Sequence, residues 1–553
     1  MSETPVVTET TQTLVDDTVG QIMKSNTNKL ASFGKNLIRK LLTTSATTIS
    51  IGIVSVLAYA IYRSYRRSKP TNASKYQVSL DSYVEPDIGK SKRTKEQLEE
   101  IQKRLDEFKL SDEILQQIMD ILEAEMEKGL NRGTHSEADV KMLPTYVCQL
   151  PTGKESNDIL ALDLGGSNFR VLFIRLRENE EPVIVNKVFI VSESIMKGTG
   201  EKLFSHIANC LYLFMKNHNL DMTRTYPLGF TFSFPCRQLG LSNSILLRWT
   251  KGFLCSDVVG EDIVATLQKY IDARGDIKVK VCVLINDTVG TVMSTAYYDR
   301  KTALGLILGT GTNACYIENV DRIGILESYV DPDQKQMLVN TEWGAFGENG
   351  SIDFIRSRYD EEIDKTSINV GKQIFEKMVS GMYLGELVRL MILELIDREL
   401  IFVDEMKKNA YRHALFTKGS FYTKYLNEIE TDSNSKFTRT KRILKELAGI
   451  ENPSHEDCAV VKCICMAVTK RAAKLTAAGL AVILKRMNRA ECTIAVDGSL
   501  FRYHPRMQAV VEKTLTNLVS SLNKFKIVLS TDGSGKGAAV VAAVAVENDP
   551  IFK

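Results

Sequence analysis

At 553 residues, 44% of them hydrophobic, the chain is long enough for two or three domains and can bury large cores. A net charge of +3, with no finger, homeodomain or RNA-binding signature, excludes nucleic acid as a partner. Ten cysteines without paired C-x-x-C spacing exclude a disulfide framework and imply a reducing compartment; Cys463 and Cys465, inside a helical run, suit neither zinc nor a disulfide.

Residues 1–95 differ from the rest. No acidic residue lies between Asp17 and Asp81, whereas Lys24, Lys29, Lys35, Arg39 and Lys40 precede an uncharged stretch, 41–62, and Arg63, Arg66, Arg67 and Lys69 follow it. That stretch matches the ~20 residues a membrane-spanning helix needs, although Thr43 to Thr48 are polar and the strongly apolar run covers only 49–62. It lies too far from the start for a cleaved signal peptide. A marginal anchor over 41–62 is expected, the alternative being a helix packed on the globular part. Balanced basic flanks leave its orientation open, and an acid-free basic tail suits an anionic membrane surface or a mitochondrial address. The expected location is a cytosolic catalytic part on the mitochondrial outer membrane or another cytosol-facing membrane. Residues 70–95, rich in Ser, Lys and Pro, read as a linker.

From Leu98 to Leu122 apolar residues recur at helical spacing, and Gly129 and Gly133 end the pattern. From Ile159 short strands begin. Asp163-Leu-Gly165-Gly166-Ser167-Asn168-Phe-Arg170 is a glycine turn between two strands, and Gly309-Thr310-Gly311-Thr312-Asn313 repeats the arrangement about 145 residues later. Either turn could be an ordinary hairpin. As a pair they suggest a duplicated domain facing itself across a cleft, with backbone N–H groups cradling phosphate and Asp163 holding a hydrated metal. Near the end, Asp532-Gly533-Ser534-Gly535-Lys536-Gly537 lacks the leading Gly of a Walker loop and reads as a glycine turn into an apolar helix over 538–546.

Between these turns lie polar groups suited to a polyol: Ser233 in an alternating strand that Pro235 ends, Thr250 and Lys251 beside Trp249, and Glu342 beside Trp343. The β-branched apolar run 281–285 reads as a buried strand ending in Asn286-Asp287. An Asp held there is partly desolvated and can take a proton from a substrate hydroxyl; alternatively Asp287 merely caps the following helix. The run 463–487 reads as a buried core helix interrupted by Lys470, Arg471, Lys474 and Lys485.

Taken in order, the motifs at 162–170, 230–236, 249–252, 286–291, 309–313, 340–347, 371–378 and 496–499 resemble those of the hexokinase family, over about 96–547, as in a single-unit animal member with an N-terminal extension. The resemblance implies an α/β, actin-like ATPase (ribonuclease H-like) fold. Small and large domains would flank a sugar and ATP cleft, with 96–296 holding the first half and 297–553 the second half and nucleotide site. It implies ATP- and Mg2+-dependent phosphorylation of glucose and related hexoses at the 6-hydroxyl, the first step of glycolysis, by a monomer. Asp287 would be the general base, with Lys251 beside it in catalysis. Ser233, Thr250, Lys251, Asn286, Asp287, Asn313, Glu342, Gln373 and Glu376 would contact the sugar. Asp163, Gly165, Gly166, Ser167, Asn168, Arg170, Gly309, Thr310, Gly311, Thr312, Gly498, Ser499, Ser534 and Gly535 would hold the nucleotide, with Asp163 reaching Mg2+ through water. Ser167, Glu348-Asn349 and Thr531 depart from the family's usual residues, and none of these changes removes an implied sugar ligand. The alternatives are a catalytically weak glucose sensor or membrane scaffold, and a kinase for another sugar or an N-acyl hexosamine.

Overall fold

The computed structural model describes residues 85–552 except 90–91, 166–167, 179, 329, 404–413, 521–522, 531 and 548–549. The expected anchor, Gly166, Ser167, Thr531 and the side chain of Asn168 lie outside the described residues.

The strands are β1 (Leu143–Pro144), β2 (Asp158–Leu164), β3 (Asn168–Arg175), β4 (Val183–Ile190), β5 (Tyr226–Phe232), β6 (Cys236–Gly240), β7 (Asn243–Leu246), β8 (Val279–Ile285), β9 (Thr302–Leu308), β10 (Thr312–Asn319), β11 (Gln336–Asn340), β12 (Glu491–Asp497) and β13 (Lys524–Leu529). One sheet has the order β4-β3-β2-β5-β8 and the other β1-β11-β10-β9-β12-β13, while β6 and β7 pair alone. Apart from β1 the two orders are the same. In each sheet the first three strands of the repeat are antiparallel and the last two run parallel to the first. β2 begins at 158 and β9 at 302, β3 at 168 and β10 at 312, so the intervals are equal. A helix follows the last strand of each repeat, Asp287–Ala296 after β8 and Gly533–Ala545 after β13. This internal duplication is the expected actin-like ATPase fold.

Two hydrophobic cores result. The smaller gathers Leu160, Leu162 and Leu164 with Phe204, Phe214 and Phe230. The alternate residues Ile159 and Ala161 join a larger core with Ala538, Val541 and the helix His455–Met487. Successive strand side chains point to opposite faces, so this sheet is buried on both. That is why β5 is buried at every position, where its sequence reads as alternating.

The long helix begins at His455, earlier than expected, because the Ser454 hydroxyl accepts the Asp457 amide at 2.9 Å. Its fully buried Arg471 is paired with Asp360 at 2.6 and 2.7 Å. No described helix is long and apolar enough to cross a membrane.

The segment expected to be a glycine turn, 533–537, is instead the first helical turn of Gly533–Ala545, entered through the left-handed Asp532. Its glycines answer to packing. A Cβ on Gly537 would lie 2.1 Å from the Gly290 carbonyl oxygen of the Asp287–Ala296 helix. The two repeats touch backbone to backbone at this crossing.

Candidate active site

The carboxyl ends of the parallel strands in both sheets carry the polar groups, as is general for open α/β sheets. At the end of β8, Asn286 is the N-cap: its side-chain oxygen accepts from the Thr288 amide at 2.9 Å and the Thr288 hydroxyl at 2.8 Å. The capping alternative therefore belongs to Asn286, and the carboxyl of Asp287, the first helical residue, is left for other work. Burial pushes Asp287 above the usual carboxylate range, while the Lys251 ammonium, the Ser233 hydroxyl and the Thr288 amide oppose the rise and Asp163 adds to it. Ser233 follows β5 and is buried. Thr250 and Lys251 sit in a turn closed by the Phe253 amide donating to the Thr250 carbonyl at 3.1 Å, with Lys251 and Gly252 both at positive φ. Trp249 anchors this turn through its indole N–H, which donates to the Cys255 carbonyl at 2.9 Å, and through the rings of Phe232, Phe234 and Phe253.

Two more carboxylates complete the polar group. Glu342, after β11, accepts from Asn313 at 2.9 Å and from Asn340 at 2.7 Å. Glu376, on the helix Ile374–Val379, accepts the Thr312 amide at 3.0 Å. Both are raised mainly by burial; Asp287 adds to the rise at Glu342, and Glu342 to that at Glu376. Gln373 is the left-handed N-cap of that helix, and its amide donates to Glu348 at 2.8 Å. Three mutually repelling acids with Lys251 among them, flanked by Asn and Ser groups, offer acceptors and donors to a ligand rich in hydroxyls.

A second cluster joins the repeats. Asp163 at the end of β2 accepts from Arg170 at 2.5 Å and from the Ser534 hydroxyl at 2.7 Å, and Arg170 also pairs with Asp532 at 2.5 Å. The β9–β10 turn lies against the turn after β12: a Cβ on Gly309 would lie 3.2 Å from the Gly498 Cα and 3.3 Å from the Ser499 nitrogen. The carbonyls of Gly309 and Thr310 accept from Gly381 and Met382 at 2.8 and 3.2 Å, Gly311 packs on Glu376, and Gly535 packs on Leu172. Gly165 sits near Ser233 and Asp163. Among the described residues no group of three or more His, Cys, Asp or Glu side chains could hold a metal alone.

Two models of the hexokinase family match consecutive stretches of the chain, residues 100–297 and 303–544. The hexokinase from Schistosoma mansoni complexed with glucose is 39% identical, with a TM-score of 0.75 over 81% of this chain and 99% of that one. The chain belongs to the hexokinase family. Hexokinase HKDC1 of Mus musculus is 43% identical over 459 residues, and hexokinase-2 of Rattus norvegicus 44% identical over 457. These alignments cover 82% and 81% of this chain but 48% of each relative, so the chain spans about half the length of the curated relatives it matches. Two further residues at these clusters were given no role by the sequence. Asp497 accepts the amides of Gly498 at 2.7 Å and Gly533 at 3.3 Å, linking β12 to the Gly533–Ala545 helix. Arg248 lines a cavity of ≈ 860 Å3 together with Glu342, Gln373, Pro235 and Leu247. The only signal for Arg248 in the sequence was its place next to Trp249, since a loop arginine reads as a solvated charge.

Proposed function

We propose that the chain catalyses transfer of the γ-phosphoryl group of ATP to the 6-hydroxyl of glucose and related hexoses, giving a hexose 6-phosphate and ADP. The observation that carries this reading is Asp287: a buried carboxyl at a strand end, spared from capping by Asn286 and raised toward the pH at which a base works best. Asp287 takes the hydroxyl proton as that oxygen attacks phosphorus. Glu342, Glu376, Asn313, Asn286, Gln373, Ser233 and Thr250 hold the remaining hydroxyls, and Lys251 balances the acids. The turns at Gly309–Thr312, Gly498–Ser499 and Ser534 with Arg170 orient the triphosphate; transfer of this kind rests on positioning and charge stabilisation. Asp163, which accepts from Arg170 and from the Ser534 hydroxyl with Asp532 on the other side of Arg170, would hold Mg2+ through water, since Mg2+ keeps several waters and binds through one or two carboxylates plus substrate phosphates. When bound there, Mg2+ supplies charge neutralisation at the phosphates. Family membership and the glucose-complexed relative support the substrate class.

The test is a coupled assay of ADP release by the full chain with ATP, Mg2+ and glucose, mannose, fructose or N-acetylglucosamine. Turnover with glucose is expected, and Asp287→Asn lowers kcat by about 10^2- to 10^4-fold while glucose still binds. A kcat close to that of the wild type in that variant would overturn the base assignment. The cytosol-facing anchor is proposed on the basic, acid-free stretch 18–80 and its apolar segment alone. Deleting 1–69 is expected to move an active protein to the soluble fraction, and an unchanged distribution would refute the anchor.

A further inference from the structure

Asn340 ends β11, paired with Cys315 of β10 on one side and Leu143 of β1 on the other. Two residues later Glu342 takes a left-handed backbone, with φ 54°, before the 3-10 turn Trp343–Ala345. A glutamate there still has three side-chain torsions to fix. Two amides fix them. Asn340 Nδ2 donates to Glu342 Oε1 at 2.7 Å, and Asn313 Nδ2 donates to the same oxygen at 2.9 Å. Asn313 Nδ2 also donates to Asn340 Oδ1 at 2.9 Å, which closes a triangle of side chains. Only one orientation of the Asn340 amide satisfies it: turned over, its oxygen would face the carboxylate and its NH2 would face that of Asn313. Asn313 is held in turn by the Ala314 amide, which donates to its Oδ1 at 2.8 Å. On the first-repeat side, the Thr288 hydroxyl that donates to Asn286 at 2.8 Å lies 3.5 Å from Asn340 Oδ1. The three members of the triangle differ in exposure. Asn313 and Glu342 keep some, and Glu342 opens on the ≈ 860 Å3 cavity, whereas Asn340 is buried behind them. Glu342 Oε2 has no hydrogen-bond partner among the described residues.

Resting on the sugar-phosphorylating reading, we propose that Asn340 is a positioning residue for sugar recognition: by pinning Oε1 of Glu342 from behind, it aims Oε2 at one hydroxyl of the hexose and makes that hydroxyl a determinant of specificity. A site built to accept from a hydroxyl rejects the analogue that lacks it, because the acceptor is left unpaired. That rejection requires an acceptor that cannot swing to another partner. Asn313 shares the pin but stands among the sugar contacts itself, so Asn340 is the member whose effect passes through its neighbours.

The experiment measures kcat and KM of the full chain, with ATP and Mg2+, for glucose and for monodeoxy glucoses that each lack one hydroxyl other than the reacting one. Wild type and Glu342→Gln are assayed first, and the deoxy sugar whose penalty disappears in Glu342→Gln marks the hydroxyl that Glu342 reads. Asn340→Leu is then expected to lower kcat/KM for glucose by about 10- to 100-fold and to shrink the penalty for that same deoxy sugar, with the other penalties as in wild type. Asn340→Asp keeps the shape of the side chain but replaces the donor by an acceptor, and it should give the same pattern even where the leucine variant folds poorly. A loss shared equally by glucose and every analogue, or no loss, overturns the proposal, since an asparagine that only supports the fold would give those results. If Glu342→Gln leaves every penalty unchanged, Glu342 is not a sugar contact, and if wild type does not turn over glucose, the sugar-phosphorylating reading fails. Both failures appear before any Asn340 variant is assayed, and either removes the proposal as well.

Discussion

Asp287, Glu342 and Glu376 are three carboxyls raised by burial within one group, and function and stability oppose each other there. A raised acid keeps its proton in the folded state after the unfolded chain has released it. Stability therefore falls as pH climbs from the unfolded value through the folded one, and the penalty is complete above both. Replacing Asp287 by Asn removes that penalty, so Asp287→Asn is expected to raise Tm by about 1–3 °C at pH 8 and by less at pH 5, in calorimetry at both values. The departure at Glu348-Asn349 is also explained at this scale. Asn349 donates to Glu125 and its amide to Asp139, so an amide side chain stands where another acid would face two carboxylates, while Glu348 still holds Gln373 and Lys372.

The two repeats meet at the crossing of Asp287–Ala296 with Gly533–Ala545. Because a Cβ on Gly537 would collide with backbone and not with a movable side chain, Gly537→Ala is expected to cost about 1–3 kcal/mol, read as a lowered denaturant midpoint. Gly240, with nothing within 4 Å of its added Cβ, is the control that should be near neutral. The long helix His455–Met487 makes a different demand. Arg471 lies over the Phe108 ring at 4.4 Å and holds Asp360, which burial alone would raise but the guanidinium brings below the usual carboxylate range. The stability of that pair is present above the unfolded carboxylate value and is lost as pH falls through the folded one. Arg471→Met leaves Asp360 buried and unpaired, a loss of about 3–5 kcal/mol near pH 7. Denaturant titration should show that loss shrinking toward pH 4, where the orphaned Asp360 is protonated.

At the scale of the molecule, each sheet contributes one half of the polar group: Asp287 and Ser233 come from the first repeat, Glu342, Asn313 and Glu376 from the second. A ligand that binds only the assembled group stabilises the folded state by mass action. Glucose at 100 times its Kd is expected to add about 2.7 kcal/mol, seen as a concentration-dependent rise in Tm, and an equal response to a polyol without turnover would count against glucose as the ligand.

Local chemistry was enough to read the strand ending at Asn286-Asp287, the two glycine hairpins and their duplication, and the buried helix near 463–487, because periodicity and turn residues act over a few positions. Tertiary structure decided the rest. Asn286 and Asp287 are both good N-caps, and only the backbone at the end of β8 assigns the cap to Asn286 and frees Asp287. The glycines at 533–537 read as a turn because glycine is rare in helices, yet they stay helical because another helix passes at backbone distance. β5 is buried on both faces because two cores lie against its sheet. Arg248 and Glu342, far apart along the chain, come to line one cavity only in the folded structure.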